Sequence, residues 1–421
     1  MKVTIQPKQL KGTVLIPPSK SLSHRAIIAA SLAKGESIIS NVMLSKDIEA
    51  TIKGMTALGA SIKVEDTTLR ITGSDILRRE CFIDANESGS TLRFLLPLAL
   101  VNPEPMEFRG KNHLVKRPLD SYFKIFDRLG ISYIHPLDAY LPLKTKGGLI
   151  PGCYEVKGNI SSQFITGLLF ALPLLNGDSK IKIIGDLESK GYVDLTLDIL
   201  SMFGIHITNH HYEEFFIEGN QTYTPFNYTV EGDYSQTAFF LIAGAMGADI
   251  KLKGMRRDSY QGDKKIIEDI QAFHGNIYMD DESLFCSPGL TKGTTIDFSQ
   301  SPDLGPALTV LASVSEGISC FRHVERLRIK ECDRVSCMRE ALNQLGAHIE
   351  EEPDTMTIYG VPHLQGGIVD SYNDHRVAMA LAMASLKMKE PLTIVNAECV
   401  SKSYPNFWEI FESLGGNITY E

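Results

Sequence analysis

Cationic side chains recur at positions where the sequence predicts the start of a helix. Lys20 and Arg25 flank the first such start, Arg93 lies in the second, and His375 and Arg376 lie in the sixth. A positive charge there opposes the helix dipole, by about 0.3 to 1 kcal/mol at exposed sites. Helix N-termini combined with Arg and Lys bind phosphate and carboxylate groups, because backbone N–H groups and guanidinium forks converge on the anion. The pattern therefore predicts an anionic ligand.

More cations stand at the predicted starts of amphipathic helices. They are Arg117 in VKRPLD, Lys330 and Arg334 in RIKECDR, and Lys402 in SKSYPNF, and Arg328 completes a set of nine Lys and Arg residues. For any single one, a solvated helix end is the alternative, and N-capping alone explains the neighbouring Ser, Asp and Asn residues. The whole set, drawn from both halves of the chain, favours an anion-binding site.

A repeat of about 70 residues provides the elements that would position these cations. A large apolar residue followed by Gly or His and a strand-like pair occurs six times, starting at Leu58, Leu129, Phe203, Phe273, Leu345 and Leu414. Each phrase closes an amphipathic helical pattern, with Gly where a helix C-cap needs a positive φ. The first five phrases are followed by alternating apolar residues, which predict a hairpin.

A second series with the same period consists of apolar helices that begin at Ser21, Ser88, Ser161, Asp233, Asp303 and Asn373. Two signals in phase indicate six units, and a single unit can hardly cover both of its hydrophobic faces. Six units suggest two bodies of three, with a boundary near residues 221–232, where turn formers follow the third unit. The first strand, Val3 to Ile5, is compatible with either body.

Composition limits the classes of protein to consider. A chain of 421 residues that is 43% hydrophobic and 22% charged predicts a globular protein of two or three domains. The longest uncharged apolar run, Phe164 to Leu175, is shorter than the ~20 residues of a membrane span, and the N-terminus shows no secretory signal. Seven cysteines without a CxxC predict reduced thiols in the cytoplasm. The net charge of −9 argues against a nucleic-acid partner.

Several common signatures are missing. The sequence has neither GxxxxGK[ST] nor a GxGxxG after a strand, so ATP or dinucleotide chemistry has no support. GxSxG and HExxH are missing too, which disfavours the commonest hydrolases and zinc proteases. Cys332 and Cys337 could bind a metal only with partners that the sequence does not reveal.

The chain resembles the enolpyruvyl transferases over its whole length, and in particular the branch of that family that acts on shikimate 3-phosphate. Ten motifs in the family's order carry the resemblance: PPSKSLSHR (17–25), SGSTLR (88–93), KRP (116–118), SSQF (161–164), ESKGYVD (188–194), EGDYS (231–235), PD (302–303), RIKECDR (328–334), NDHR (373–376) and SKSYP (401–405).

The resemblance implies a mixed α/β fold. It would be a two-globule inside-out α/β barrel of six βαβαββ units, three per globule, that closes on its substrates. By analogy, residues 20–229 form one globule, and residues 230–421 with 1–19 form the other. Two crossing strands would join them, with hinges near Pro18 and Thr229, within residues 18–20 and 228–232.

The implied reaction transfers the enolpyruvyl (1-carboxyvinyl) group of phosphoenolpyruvate to the 5-hydroxyl of shikimate 3-phosphate and releases phosphate. This is a step of the shikimate pathway of chorismate and aromatic amino acid biosynthesis. Carried over by position, the residues that hold shikimate 3-phosphate are Lys20, Ser21, Arg25, Ser161, Ser162, Gln163, Ser189, Tyr192, Asp303 and Lys330. Those that hold phosphoenolpyruvate are Lys20, Gly89, Arg117, Gln163, Arg334, Arg376 and Lys402.

The chemistry needs a base for the hydroxyl and an acid for the vinyl carbon, and then reverse proton transfers that expel phosphate. The resemblance assigns the hydroxyl to Asp303 and the methylene carbon to Glu331, with Lys20 assisting, although groups this close can titrate as a set. Without the resemblance, Glu331 would be interpreted as part of a surface ion pair worth less than ~1 kcal/mol. The resemblance implies no metal and no cofactor. We expect a monomer without nucleic-acid or membrane partners.

Several positions depart from the family's pattern. Pro18 replaces a usual Gly, Gly191 replaces a frequent Pro, and Arg326 stands where Asn is common. Phe94 replaces Pro and Ser90 replaces Thr on the helix that presents Gly89. We therefore expect altered sensitivity to glyphosate, an inhibitor that occupies the phosphoenolpyruvate site.

Two alternatives remain open at this stage. A UDP-N-acetylglucosamine enolpyruvyl transferase has the same chemistry, but it shows Lys-Asn where this chain has Lys20-Ser21, and a reactive loop cysteine that has no counterpart before Arg117. A non-catalytic anion-binding scaffold could also be built on six such units, because fold does not prove function.

Overall fold

The computed structural model of the chain describes residues 1–76, 80–280 and 283–421. These residues form two compact units. The N-terminal unit is Lys20–Val230, and the C-terminal unit combines Met1–Ser19 with Glu231–Glu421. None of the helices in the described ranges is long and apolar enough to cross a lipid bilayer.

Twelve α-helices lie in the described residues. They are α1 (Lys20–Leu32), α2 (Lys46–Ala57), α3 (Gly89–Ala99), α4 (Asp120–Leu129), α5 (Ser162–Ala171), α6 (Lys190–Met202), α7 (Tyr234–Ala245), α8 (Ile266–Ala272), α9 (Gly305–Ser313), α10 (Arg334–Gln344), α11 (His375–Ala384) and α12 (Phe407–Ser413). Short 3₁₀ turns include Asn112–Lys116, Pro302–Leu304, Glu325–Ile329 and Ala397–Lys402.

The same ranges contain twenty-four strands. They are β1 (Lys2–Gln6), β2 (Lys11–Leu15), β3 (Glu36–Ser40), β4 (Ser61–Glu65), β5 (Thr68–Thr72), β6 (Phe82–Asp84), β7 (Met106–Arg109), β8 (Ser132–Ile134), β9 (Leu143–Lys146), β10 (Cys153–Lys157), β11 (Ser179–Ile184), β12 (Ile207–His210), β13 (Glu214–Ile217), β14 (Tyr228–Thr229), β15 (Asp249–Lys253), β16 (Asn276–Met279), β17 (Leu284–Ser287), β18 (Thr295–Asp297), β19 (Ile318–Arg322), β20 (His348–Glu351), β21 (Thr355–Tyr359), β22 (Gly367–Asp370), β23 (Leu392–Val395) and β24 (Asn417–Tyr420).

These strands form four-stranded sheets with one shared topology, six in the part of the chain described. In the sheet β6-β7-β9-β8, the first two strands are parallel and the other neighbours are antiparallel. Helix α3 connects β6 to β7, and α4 connects β7 to the hairpin of β8 and β9. The sequence is therefore a βαβαββ unit, and the predicted mixed α/β class is confirmed.

Three strands enter their sheets from distant parts of the chain. β14 pairs in parallel with β3, and β2 pairs in parallel with β15. β1 lies between β23 and β24 and is antiparallel to both, so it takes the place of the second hairpin strand in the sixth repeat. The strand Val3 to Ile5, which the repeat pattern alone could not assign, therefore belongs to the C-terminal unit.

Apolar helices occupy the interior of each unit. In α1, α3 and α5 of the N-terminal unit, and in α7, α9 and α11 of the C-terminal unit, nearly every side chain is buried. A helix that is apolar on all sides must be covered all round, and the sheets supply that cover with alternate residues, as in β11. The amphipathic helices then present their first turns beside those of the apolar helices.

The predicted helix ends adopt positive φ in all six phrases. Gly130 caps α4 in the left-handed conformation, and five further residues have φ between +64° and +126°: Gly59, Gly204, His274, Gly346 and Gly415. In FHGNI the residue with positive φ is His274, not the Gly that follows it. The residue after the large apolar residue therefore adopts the positive φ that ends the helix. His274 adopts it at a higher conformational energy than Gly would, because it carries a Cβ.

Candidate active site

Predicted ligand residues of the N-terminal unit lie at or near the starts of α1, α3, α4, α5 and α6, and we call them the N-terminal cluster. Its members are Lys20, Ser21, Arg25, Gly89, Arg117, Ser161, Ser162, Gln163, Ser189 and Tyr192. Buried hydroxyls hold the helix starts in register: Thr51 Oγ1 on α2 lies 2.6 Å from Thr91 Oγ1 on α3 and 2.7 Å from His24 Nδ1 on α1. The cluster therefore rests on rigid elements.

Lys20 forms an ion pair inside this cluster. Its ammonium donates to Asp47 Oδ2 on α2 at 2.8 Å, and both side chains are mostly buried. Sequence reasoning missed Asp47, because SKDIEA carries the signals of an ordinary helix start and nothing else. The pair holds the Lys20 charge at the first turn of α1.

Arg25 is almost completely buried, with 2% of its surface exposed. It donates from Nε to Thr196 Oγ1 at 2.8 Å, and from its two terminal nitrogens to the backbone carbonyls of Ser21 and Tyr192. Its guanidinium also lies 5.2 Å from the centre of the Phe94 ring. Burial lowers the pKa of Arg25 to about 10. Arg25 thus anchors two neighbouring predicted ligand residues, whatever it contributes to the ligand itself.

The amide of Gln163, at the start of α5, is held at both ends. Arg93 Nη1 donates to Gln163 Oε1 at 2.8 Å, and Gln163 Nε2 donates to Ser90 Oγ at 3.0 Å. Ser161 caps the same helix by accepting from the Gln163 backbone N–H. The orientation of this amide is therefore fixed by α3, which gives Arg93 a structural part in the cluster.

Gly89, the first residue of α3, lies directly against Arg117. A Cβ placed on Gly89 would be 2.5 Å from Arg117 Nη1, a distance that requires the guanidinium to move. The absence of a side chain therefore lets the guanidinium approach the helix N-terminus. Ser189, just before α6, is 1% exposed and adopts the left-handed conformation with φ 55°.

A second group of predicted site residues lies in the C-terminal unit, and we call it the C-terminal cluster. Its members are Asp303, Lys330, Glu331, Arg334, Arg376 and Lys402, together with Asp374, which sequence reasoning did not assign. They come from the 3₁₀ turn before α9, the segment entering α10, the start of α11 and the segment before α12. Asp374 lies in the NDHR motif, but the sequence pattern pointed only to the basic residues of that motif as ligands.

Arg334 is the centre of this cluster and is 1% exposed. It donates from Nη1 to Asp303 Oδ1 at 2.8 Å and from Nη2 to Glu331 Oε2 at 2.6 Å. Its Nε donates to Asp374 Oδ2 at 2.7 Å. Burial would lower the pKa of this guanidinium, but the three carboxylates outweigh burial and raise it.

Asp303 accepts from three cations. Besides Arg334, Lys330 Nζ lies 3.2 Å from Oδ1, and Arg376 Nη2 lies 3.2 Å from Oδ2. Burial alone would raise the pKa of this carboxyl, but the cations outweigh burial and hold the pKa well below its usual range. Burial lowers the pKa of Lys330 to about 8, and the carboxylate of Asp303 opposes that shift.

Arg376 and Lys402 both lie beside the first turn of α11. Asp374 caps this helix by accepting from the Arg376 backbone N–H at 2.8 Å, and Lys402 Nζ donates to the carbonyl of Asn373 at 2.6 Å. Both cations are at least nine-tenths buried. Charges are thereby concentrated at a helix N-terminus, where an anion would be stabilised.

Arg328, the ninth cation of the sequence pattern, does not join the cluster. Its guanidinium donates to Asp333 and Glu351 and to the carbonyls of Pro353 and Glu352. None of these partners belongs to the C-terminal cluster, and spacing alone could not separate Arg328 from its neighbours.

The two cysteines of the same region are buried. Cys332 Sγ lies 3.7 Å from Asp374 Oδ2, and the thiol of Cys337 together with burial raises the pKa of Cys332. No group of three or more His, Cys, Asp or Glu side chains within residues 1–76, 80–280 and 283–421 could hold a metal ion. In the structure both thiols pack inside the C-terminal unit.

Comparison with known proteins gives one consistent answer. A family model described as EPSP synthase (3-phosphoshikimate 1-carboxyvinyltransferase) matches residues 5–411. The 3-phosphoshikimate 1-carboxyvinyltransferase of Clostridium perfringens is 53% identical over 423 residues, which cover 100% of both chains. The protein of the same name from Clostridioides difficile is 49% identical over 426 residues, covering 98% of this chain and 97% of the other.

Solved structures share the fold at lower identity. EPSP synthase from Acinetobacter baumannii has a TM-score of 0.80 and 24% identity, over 100% of each chain. The enolpyruvyl transferase NikO from Streptomyces tendae has a TM-score of 0.82 and 17% identity, over 100% of this chain and 98% of the other. The mixed α/β repeat architecture is therefore common to all three chains.

Proposed function

Because this chain belongs to the EPSP synthase family, we propose that its two clusters hold the substrates of that family and carry its chemistry. The reaction transfers the enolpyruvyl group of phosphoenolpyruvate to the 5-hydroxyl of shikimate 3-phosphate and releases phosphate. It places the chain in the shikimate pathway of aromatic amino acid biosynthesis. The observation that carries the proposed site is the arrangement at Arg334, where both candidate proton-transfer carboxylates bind one guanidinium.

Shikimate 3-phosphate is held mainly by the hydroxyl groups and cations of the N-terminal cluster, with Asp303 and Lys330 added. The full set is Lys20, Ser21, Arg25, Ser161, Ser162, Gln163, Ser189, Tyr192, Asp303 and Lys330. Support comes from the buried network that orients them, since a phosphate needs preorganised donors more than flexible ones. Arg25 acts in this set chiefly by fixing Ser21 and Tyr192.

Phosphoenolpyruvate is held by cations at the helix starts of both clusters. The set is Lys20, Gly89, Arg117, Gln163, Arg334, Arg376 and Lys402. The close approach of Arg117 to Gly89 supports this assignment, because it adds a guanidinium to the backbone N–H groups of α3. Residues assigned to each substrate come from both units, so we also propose that the two units close when the substrates bind.

Asp303, Glu331 and Lys20 transfer the protons. In the unliganded protein Asp303 is a weak base, because three cations hold its pKa well below its usual range. The phosphate and carboxylate groups of the substrates bind the same cations and so return basicity to Asp303. Asp303 then accepts the proton of the 5-hydroxyl, while Glu331 donates to the methylene carbon with Lys20 assisting.

The chain acts as a cytoplasmic monomer without nucleic-acid or membrane partners. The seven thiols are free, and the net charge of −9 disfavours nucleic-acid binding. Scattering or sedimentation at micromolar concentration measures the mass. A species twice the mass of the 46.6 kDa chain contradicts the monomer.

A steady-state assay tests the function. Phosphate release from phosphoenolpyruvate is measured with shikimate 3-phosphate and, separately, with UDP-N-acetylglucosamine as acceptor. Release with shikimate 3-phosphate alone is the expected result. Release with the nucleotide sugar alone supports the other enolpyruvyl transferase, and no release with either supports a scaffold.

A further inference from the structure

The guanidinium of Arg334 has no edge left for a substrate in this structure. A planar guanidinium can bind a carboxylate with two parallel bonds along its Nε/Nη2 edge or its Nη1/Nη2 edge. Asp374 occupies the first edge, at 2.7 Å from Nε and 3.4 Å from Nη2. Asp303 and Glu331 occupy the second, at 2.8 and 2.6 Å. A bidentate substrate carboxylate must therefore replace one of the protein's own carboxylates.

Asp374 is the carboxylate least able to leave. Its side chain is 0% exposed, and its Oδ1 also accepts from the Arg376 backbone N–H at 2.8 Å, which caps α11. Removing Asp374 from Arg334 would leave a buried negative charge and an uncapped helix. This carboxylate is a fixed anchor for the guanidinium.

Asp303 is also strongly retained. It lies in the short 3₁₀ turn Pro302–Leu304, and its side chain has only one methylene group with which to move. Lys330 and Arg376 bind the same carboxylate at 3.2 Å each, so it remains in a cationic environment beside Arg334.

Glu331 differs from both. It precedes α10 by three residues, its side chain has one more methylene group than that of Asp303, and it is 22% exposed. A rotation about its side-chain bonds takes the carboxylate off Arg334 Nη2 without moving a helix. Glu331 is therefore the partner that can yield.

We propose that the carboxylate of phosphoenolpyruvate displaces Glu331 from Arg334, so that Glu331 competes with the substrate before it serves the reaction. The inference rests on the proposed function, in which Arg334 binds phosphoenolpyruvate. Displacement removes the cation that stabilises the Glu331 carboxylate and places an anion beside it. Both changes favour the protonated acid that the methylene carbon requires. Substrate binding and preparation of the acid become one event.

Calorimetric titration with phosphoenolpyruvate alone tests the competition, because no turnover occurs without the second substrate. Glu331→Gln keeps the shape but removes the charge that competes for Arg334, so the expected dissociation constant is lower than that of the unaltered protein, on the order of tenfold. Turnover with both substrates is expected to fall at the same time by ~10²-fold or more. A residue that merely supports the site would lose affinity and turnover together.

Glu340→Gln is the matched control. Glu340 is exposed on α10, which follows Glu331, and it pairs with Arg339 and Tyr372. The affinity of this variant for phosphoenolpyruvate and its turnover should equal those of the unaltered protein. Asp303→Asn tests the competing hypothesis that phosphoenolpyruvate displaces Asp303 from Arg334. Tighter phosphoenolpyruvate binding by Asp303→Asn, without tighter binding by Glu331→Gln, would support that hypothesis and overturn the proposal.

Equal or weaker binding by Glu331→Gln also overturns it, provided that thermal melting shows a folded variant. If the unaltered protein releases phosphate from the two substrates in that case, the proposed function stands and only the displacement fails. If the unaltered protein neither binds phosphoenolpyruvate nor turns over, the function itself fails and the displacement with it.

Discussion

Lys330 Nζ lies 3.2 Å from Asp303 Oδ1, and both side chains are less than one-fifth exposed. The pair joins a proposed shikimate 3-phosphate ligand to a proposed proton acceptor. Burial weakens the hold of Lys330 on its proton, although its partner carboxylate strengthens it. The protonation of one residue therefore sets the charge that the other experiences.

We expect this pair to limit activity at alkaline pH. With a folded-state pKa of about 8, Lys330 is charged below that pH and loses its charge above it. The ratio kcat/KM for shikimate 3-phosphate should then fall about tenfold per pH unit above the pKa, since this ratio reports groups of the free enzyme. In Lys330→Arg the residue stays charged, so the alkaline limb should move up by more than one pH unit. Lys180→Arg, at an exposed pair with Glu214, should keep the original profile.

Lys20→Met should lower turnover by ~10²-fold or more, because the variant loses both a substrate cation and a proton-transfer group. Phosphate release under saturating substrates measures the effect. Lys34→Met is the control, since Lys34 is 62% exposed and pairs with Asp75 away from the cluster. Similar rates in the two variants would remove Lys20 from the chemistry.

Gly89→Ala should raise the KM for phosphoenolpyruvate by about tenfold or more, because the new Cβ lies 2.5 Å from Arg117 Nη1 and forces the guanidinium away from the helix start. The KM for shikimate 3-phosphate should change much less. Gly289→Ala offers a matched substitution, with the nearest atom 3.6 Å from the added Cβ. An unchanged KM in Gly89→Ala would show that Arg117 does not need this approach.

Asp269 should make folding stability depend on pH. Burial raises its pKa to about 6, although Lys265 partly offsets the shift. Because the folded-state value lies above the unfolded value of about 4, its contribution to stability is complete below pH ~4 and is lost as pH rises through about 6.

Asp269→Asn should therefore raise the unfolding free energy at pH 8 by about 1 to 2 kcal/mol and raise it by clearly less at pH 4.5. Urea denaturation at the two pH values measures the difference. A gain for Asp269→Asn that does not depend on pH would refute the assignment to charge burial.

Closure of the two units on substrate is testable by small-angle scattering. Saturating shikimate 3-phosphate with an unreactive phosphoenolpyruvate competitor should lower the radius of gyration. The same additions to Lys20→Met should lower it less, because that variant lacks a cation assigned to both substrates. An identical radius with and without ligands would contradict closure.

Periodicity predicted the repeat, the apolar helices and most of the helix starts. It worked because every unit repeats the same two signals at the same distance, so that local ambiguity in one unit is resolved by five others. It could not place Val3 to Ile5, because β1 pairs with β23 and β24, more than 380 residues further along the chain. Such a pairing depends on which sheet lacks a strand, and the local sequence of β1 does not indicate which sheet that is.

The site was predicted unevenly for a similar reason. Basic residues at helix starts stand out because they oppose the helix dipole, and most of them do lie in the clusters. Asp47 and Asp374 were missed because an acidic residue at a helix start needs no explanation beyond capping. Only the positions of Lys20 and Arg334 beside them give these carboxylates another role.

The sheet β22-β23-β1-β24 joins residues that are far apart in the sequence, since Lys2 and Glu421 exchange two backbone hydrogen bonds of 2.7 and 3.0 Å. During synthesis the sequence Lys20–Val230 leaves the ribosome with all of its own strands, while β1 must wait until β23 and β24 have been translated. β1 can therefore complete its sheet only long after its own synthesis, whereas the strands of the N-terminal unit can pair before the C-terminal unit is finished.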